Sequence, residues 1–401
     1  MWELKAHPQH YSWGSADALP SFLGRVPDGR PWAELWYGAH PLGPSTLAGE
    51  GLPLDREIAR RPRALLGDGV ARAFAEQLPF MLKVIAPARP LSLQVHPTRE
   101  HAEESFAAEN AAGLSLDAPH RNYRDDNHKP EMVLALERFE ALCGFRTPRR
   151  AASIVAGLDT SLTTRLHALL TSHPTAHGMR AAFRTLVAPS LRPTPALVEE
   201  VADACRARLD AGDSPSPRID RAVGALQDHF PGDPGVVAAL LLNPVTLQPG
   251  EAMFVPPGAM HAYLSGLGIE VMAASDNVLR AGLTPKRVDA DEVLQCVSVQ
   301  AAPPLRVAPE RLTDATVAYY APIDDFELTV TTLKDPPGQF HPRRTIPGTG
   351  PRILLAVEGD MLLESDAGRR RLDAGRALFV PADAGHVRLG GRGRLVQAGV
   401  P

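Results

Sequence analysis

One short pattern occurs twice in this chain of 401 residues. Gly250, Phe254, Val255, Pro256 and His261 recur 125 positions later as Gly375, Phe379, Val380, Pro381 and His386. A glycine turn, a short apolar run, a proline bend and a histidine at fixed spacing describe a β-unit used twice. The repeat therefore predicts two related β-barrels within one chain.

The sequence around the repeat agrees for most of its length. The first hundred or so residues are rich in Pro, Gly and short apolar runs, which reads as β-structure with tight turns. Residues 79–85 and 91–96 read as strands. In the second, Leu91, Leu93 and Val95 face one side while Ser92, Gln94 and His96 face the other. A helix is expected from Thr98 to Glu109, stopped by Gly113, and a polar loop then leads to His128 and the apolar run 132–136.

From Thr147 to Leu242 the period changes. Leu158, Leu162, Leu166, Leu169 and Leu170 fall at helical spacing, as do Leu197, Val198, Val201 and Leu209. Thr194 and Pro195 form a helix start, and residues 214–217 (Ser-Pro-Ser-Pro) read as a linker between helices. Strand-and-turn composition returns at Asn243 and runs to the end, with one helical stretch from Asp289 to Ser298. The expectation is a mainly β chain carrying a helical insertion.

Composition excludes several classes. Hydrophobic residues make up 44% and charged residues 22%, which is the profile of a globular protein. A formal net charge of −4 provides no general field for nucleic acid. The N-terminus lacks a basic segment followed by an apolar one, and the longest aliphatic run, Val236 to Leu242, is too short to span a bilayer. Three scattered cysteines, Cys143, Cys205 and Cys296, fit a reducing cytoplasm and no disulfide framework. A bound metal must then use His, carboxylate and amide oxygen.

Such groups are present. Gln94 and His96, two apart on a strand, project from one face and can share an ion. Glu131 stands at a loop-to-strand boundary, and His261 follows a Pro-Pro-Gly turn that aims its ring. Two imidazoles, a carboxylate and an amide suit Zn²⁺, and also Fe²⁺, Mn²⁺ or Co²⁺. Each residue also has an ordinary structural reading: strand histidines and glutamines are usually hydrogen-bonded, and most glutamates are paired or solvated. Spacing alone does not bring Glu131 and His261 to the same point.

Longer matches narrow the choice. Residues 94–97 (Gln-Val-His-Pro), 127–132 (Asn-His-Lys-Pro-Glu-Met) and 273–286 closely resemble signatures of the type I phosphomannose isomerases. Residues 11–14 (Tyr-Ser-Trp-Gly) and 32–38 resemble that family's N-terminal region. The resemblance implies two cupin-type (jelly-roll) β-barrels plus an α-helical domain. The first, catalytic barrel would comprise residues 1–146 with 243–300, the helical insertion 147–242, and a degenerate barrel without metal 301–401. It implies one Zn²⁺ on Gln94, His96, Glu131 and His261, with His386 structural.

The implied reaction interconverts mannose 6-phosphate and fructose 6-phosphate by moving a proton between C2 and C1 through an enediol. Arg280 is the residue the family marks as catalytic; its permanent charge suits an oxyanion or phosphate and makes it a poor proton carrier. Lys129 and Glu270 are candidates for the proton shuttle, and His128 and Asp276 for ring opening. Lys83, Ser92 and Lys286 are expected at the phosphate or sugar hydroxyls, with Trp13 and Glu34 lining the pocket. Against these stand surface positions for the lysines, a plain turn at Asp276 and Asn277, and a structural Glu270–Arg280 pair. Two other activities fit the ligand set: a non-haem metal oxygenase and a non-catalytic sugar-phosphate binder. The expected partner is a small sugar phosphate in the cytoplasm, with no nucleic acid, membrane or obligate protein partner.

Overall fold

The computed structural model describes residues 1–336 and 338–401. The chain is mostly β, with its strands in three sheets of ten, seven and five. In the seven-stranded sheet, Ala252–Val255, Glu131–Ala135, Gly268–Ala273, Phe80–Ile85 and Glu34–Tyr37 lie side by side. The five-stranded sheet runs Leu279–Gly282, Leu93–Val95, His261–Ser265, Phe139–Phe145, Leu242–Leu247. The ten-stranded sheet is built mainly from residues beyond Glu310, with Trp2–Lys5 and Thr46–Leu47 at one edge.

The seven-stranded sheet is covered on both faces, and alternation sorts its side chains. Leu35, Tyr37, Leu82, Val84, Met132, Leu134, Ile269 and Val271 enter one apolar core. That core also holds Leu328, Val330, Ile353, Leu355, Phe379 and Val396 of the ten-stranded sheet, so the two sheets pack back to back. The intervening positions face the other way. There Ile85, Val133, Ala135 and Val255 meet Phe139, Ala141, Val245 and Tyr263 of the five-stranded sheet. The polar residues Glu34, Lys83, Glu131 and Glu270 sit on this second face, all buried.

Between Phe145 and Leu242 the chain is helical, from Pro148–Val155 through Ser161–Ser172, Ala176–Val187, Pro195–Asp210 and Pro217–His229 to Gly235–Ala238. Thr194 and Pro195 start the fourth of these as expected, and the 214–217 linker precedes the fifth. The aliphatic run Val236 to Leu242 is fully buried in the core these helices share with Leu93, Leu142 and Leu279. Inside this apolar core Arg208 grips Asp220 with two bonds, at 2.6 and 2.7 Å.

One expectation needs correction. The first hundred residues are not simply strands and turns: Ala18–Phe22, Leu54–Arg60, Pro62–Leu66 and Asp68–Ala73 are short helices. Leu54, Ile58, Leu65, Leu66 and Ala71, spread over the last three of these helices, reach the core shared by the two large sheets. Tertiary packing holds these helices, which are far too short to persist alone.

Candidate active site

The site lies where the seven- and five-stranded sheets face each other. Sheet register brings together residues that are distant in sequence. Gln94 stands directly across from His261 on one side and Arg280 on the other, so these three side chains form a row on the five-stranded sheet. On the facing sheet Lys83 is opposite Glu270, and Glu131 begins the neighbouring strand. The cavity between them has a volume of about 700 Å³.

His96, Glu131 and His261 converge, with one ligand atom from each lying within 4.8 Å of the others. All three are buried. His96 Nδ1 is 2.8 Å from the carbonyl of Asn277, and His261 Nδ1 is 3.0 Å from the carbonyl of Ala259. A carbonyl only accepts, so each Nδ1 carries the proton and donates it. Nε2 is then the lone-pair nitrogen in both rings.

Those nitrogens point at a carboxylate. His96 Nε2 is 3.2 Å and His261 Nε2 3.5 Å from the oxygens of Glu131. Burial pushes the His96 imidazole down to about 4, outweighing the pull of Glu131, so the ring stays neutral at ordinary pH. Burial opposes ionisation of Glu131 too, while the Lys129 ammonium favours it. Lys129 Nζ is 3.8 Å from the Glu131 carboxylate. Three electron-pair donors thus face one another with no proton between them, and His96 Nε2 makes no hydrogen bond among the described residues. A divalent cation satisfies all three, and their N/O character fits zinc. Gln94, beside His261 and lining the cavity, can supply a fourth oxygen.

Next to this cluster lies a second charged group. Lys83 Nζ is 3.1 Å from Glu270 and 3.7 Å from Glu34, and it lies 5.2 Å above the ring of Trp36. Trp36 in turn donates to Glu34 at 2.6 Å. Burial works against the charge on Lys83, but the neighbouring glutamates raise its pKa above the ordinary lysine value. Burial pushes the Glu270 carboxyl up, with Lys83 opposing. The Glu270–Arg280 pair considered from sequence does not form; register hands Glu270 to Lys83 instead.

Arg280 and Lys286 line the cavity together with Asp276, Ser92, Trp13 and Glu34, so these expected residues do meet in one place. Arg280 depresses the ammonium of Lys286, which marks how close the two cations are. Leu283, between them in sequence, is buried with φ +54°, a conformation L residues adopt only when held.

His128 does not join the group. It is absent from the cavity wall, and its Nε2 lies 3.0 Å from Asp325 and 2.8 Å from Arg99. Other residues enter unforeseen. Tyr263 donates to Glu131 at 3.5 Å; it lies two positions beyond His261 on the same strand, so strand alternation alone could have flagged it. Tyr11 stacks on Trp13 with ring centres 5.7 Å apart. Phe230 and Asp233, from the end of the helical stretch, form part of the wall, and no local motif announces them.

Known proteins resemble this chain along its whole length. Residues 1–148 match the family model described as phosphomannose isomerase type I, catalytic domain. The mannose-6-phosphate isomerase of Escherichia coli is 38% identical over 394 residues, covering 97% of each chain. That of Rattus norvegicus is 30% identical over 407 residues, covering 94% of this chain and 92% of the rat protein. A histidine-to-alanine variant of phosphomannose isomerase from Salmonella typhimurium superposes with a TM-score of 0.88 at 36% identity, covering 100% of this chain and 99% of that one. A mannose 6-phosphate isomerase bound with zinc and yttrium gives a TM-score of 0.87 at 37% identity, with the same coverage. With relatives so similar over so much of the sequence, this chain belongs to the type I phosphomannose isomerase family.

Proposed function

We propose that this chain interconverts mannose 6-phosphate and fructose 6-phosphate, carrying a proton between C2 and C1 of the open-chain sugar through an enediol. The observation that carries the reading is the proton-free meeting of His96, Glu131 and His261 beside the buried Lys129 and the Lys83–Glu270 pair. Gln94, His96, Glu131 and His261 hold one divalent metal, zinc in the first instance. When bound, that ion stabilises negative charge on the substrate oxygen next to the carbon that loses its proton.

The remaining work falls to side chains. Three buried carboxylates, Glu34, Glu131 and Glu270, face only two buried ammonium groups, Lys83 and Lys129. A dication reverses that balance and makes the pocket attractive to a phosphorylated sugar. Arg280 and Lys286 take the phosphate or the developing oxyanion, and Ser92 takes a sugar hydroxyl. Lys129 and Glu270 are the candidates for moving the proton; the raised pKa of Glu270 brings it nearer the range a proton carrier needs. Asp276 assists ring opening from the wall, and Trp13 and Glu34 line the pocket around the sugar. His128, turned towards Asp325, contributes to ring opening only by supporting the segment that carries Lys129.

The same reading assigns two jelly-roll barrels of the cupin type and a helical domain, with boundaries at residues 1–146 plus 243–300, 147–242 and 301–401, across which Trp2–Lys5 and Thr46–Leu47 pair into the ten-stranded sheet and Leu305–Val307 into the seven-stranded one. In its support, strands of the seven- and five-stranded sheets enclose the cavity, and an unbroken series of helices separates Phe145 from Leu242. No helix among the described residues is long and apolar enough to cross a membrane. The partner is the sugar phosphate alone, and the compartment the cytoplasm.

The test follows fructose 6-phosphate by NMR after adding mannose 6-phosphate. Product that stops on chelation and returns with Zn²⁺ is expected. A protein with a full metal site and no product would overturn the assignment. Lys129→Met is expected to retain metal and lose most turnover, and near-normal turnover would remove Lys129 from the mechanism.

A further inference from the structure

Within the 273–286 motif the charged residues line the cavity, but Asn277 does not. It is 1% exposed, and every polar group it has is engaged. Its side-chain Nδ2 donates to the carbonyl of Asp125 at 2.7 Å, to the Asp125 carboxylate at 3.0 Å and to the carbonyl of Asn127 at 2.9 Å. Its Oδ1 accepts from the backbone N–H of Arg124 at 2.8 Å and of Asp125 at 3.3 Å. Its backbone N–H donates to Ser275 Oγ at 3.2 Å. Its carbonyl receives the Nδ1 proton of His96.

Asp125 completes the arrangement from the other side. Its carboxylate accepts from Ser275 Oγ at 2.7 Å, from the N–H of Asp276 at 2.7 Å and from the N–H of Asn127 at 3.0 Å, besides Asn277. Two loops that meet nowhere in sequence are therefore bonded side chain to backbone in both directions. One of them, 124–127, runs directly into Lys129 and Glu131; the other holds His96 and carries Asp276 into the cavity wall.

We propose that Asn277 and Asp125 are positioning residues that set the metal affinity of the site, by fixing the His96 imidazole and the Glu131 segment relative to each other. This rests on the metal-site reading above, though not on the identity of the substrate. Neither residue touches the ion. Each acts through a ligand: Asn277 through the His96 ring, and Asp125 through the turn that delivers Asp276 and the backbone ahead of Glu131. Changing groups that orient ligands in this way typically weakens metal binding by roughly 10- to 100-fold.

The experiment measures Zn²⁺ binding to the full chain by competition with a chromophoric chelator, without substrate. Asn277→Asp keeps the shape, removes the Nδ2 donor that serves all three acceptors and sets a charge against Asp125. It is expected to weaken Zn²⁺ binding by roughly 10- to 100-fold. Ser275→Ala, a milder change that deletes one hydroxyl, is expected to weaken binding a few-fold, and serves if Asn277→Asp does not fold. Folded Asn277→Asp or Ser275→Ala protein with parental Zn²⁺ affinity overturns the proposal. Because binding is read without turnover, a parent that binds Zn²⁺ but makes no fructose 6-phosphate overturns the functional reading while leaving this inference standing.

Discussion

The two copies of the repeated segment make the same backbone and opposite sites. Ala252–Val255 and Ala377–Val380 are both four-residue, wholly buried strands. Each pairs antiparallel with a strand that starts opposite its last valine: Val255 faces Glu131, and Val380 faces Arg352. The first, third and equivalent partner positions agree too, since Ala252, Phe254, Met132 and Leu134 share a core with Ala377, Phe379, Ile353 and Leu355. At the position where one copy places a carboxylate, the other places a guanidinium. Arg352 is 1% exposed and donates to the carbonyls of Gly348 and Gly385, at 2.6 and 2.5 Å. Burial pulls its pKa down to about 10, so it remains a cation. The histidines diverge in step: His261 is buried at the head of a strand, while His386 is exposed ahead of one. The repeated strand is thus scaffold, and its partner strand, with the direction the histidine after it takes, decides whether the corner collects electron pairs or positive charge.

Three substitutions sharpen or break this contrast. Glu131→Gln keeps the shape but removes the charge between the two imidazoles. Zn²⁺ affinity is expected to fall by more than the roughly 100-fold that changes behind the ligands produce, and turnover with it. If the Glu131→Gln protein held metal normally, the carboxylate would not be what distinguishes the copies. Arg352→Glu installs the carboxylate in the second copy. It leaves the Gly348 and Gly385 carbonyls without donors and buries an uncompensated anion, so about 3–5 kcal/mol of stability is expected to go, read as a lower urea midpoint. Metal stoichiometry should stay at one per chain, because His386 is not turned inward; a second bound Zn²⁺ would mean that one residue suffices to make a site. His386→Ala is expected to change stability by less than about 0.5 kcal/mol and leave turnover alone. A larger loss in either would give His386 a role that its exposure does not suggest.

Much of this is legible from sequence because it is local. The alternation from 92 on places Ser92 and Gln94 on the cavity and carries His96 to the metal cluster just past the strand end, whereas Leu91, expected to face away with Leu93 and Val95, lines the cavity because the strand begins only at Leu93. Thr98 caps the helix Arg99–Ala111 and Asp289 caps Ala290–Cys296, as their side chains suggest. Residues 54–73 escape such a reading because helices of one or two turns, punctuated by Pro53, Pro62 and Gly67, offer too few apolar positions to establish a period. The Lys83–Glu270 pair depends on strand register, and the contact of His128 with Asp325 on two sheets packing together; no window of sequence contains either. Asn277 reads as a turn residue in sequence because its role lies in what crosses to it from 124–127.

The apolar core between the seven- and ten-stranded sheets has a consequence for the integrity of the protein. Every group proposed for chemistry lies before Arg287, yet the sheet that carries Lys83, Glu131 and Glu270 has its reverse face covered by residues from Tyr319 to Ala398. A chain ending near residue 300 would retain the full set of reactive side chains while presenting Leu82, Val84, Met132, Ile269 and Val271 to water. Such a surface drives association long before catalysis can be assayed. The C-terminal hundred residues therefore act as a folding partner for the active site, and heat or proteolysis that loosens them inactivates the enzyme without touching a reactive atom.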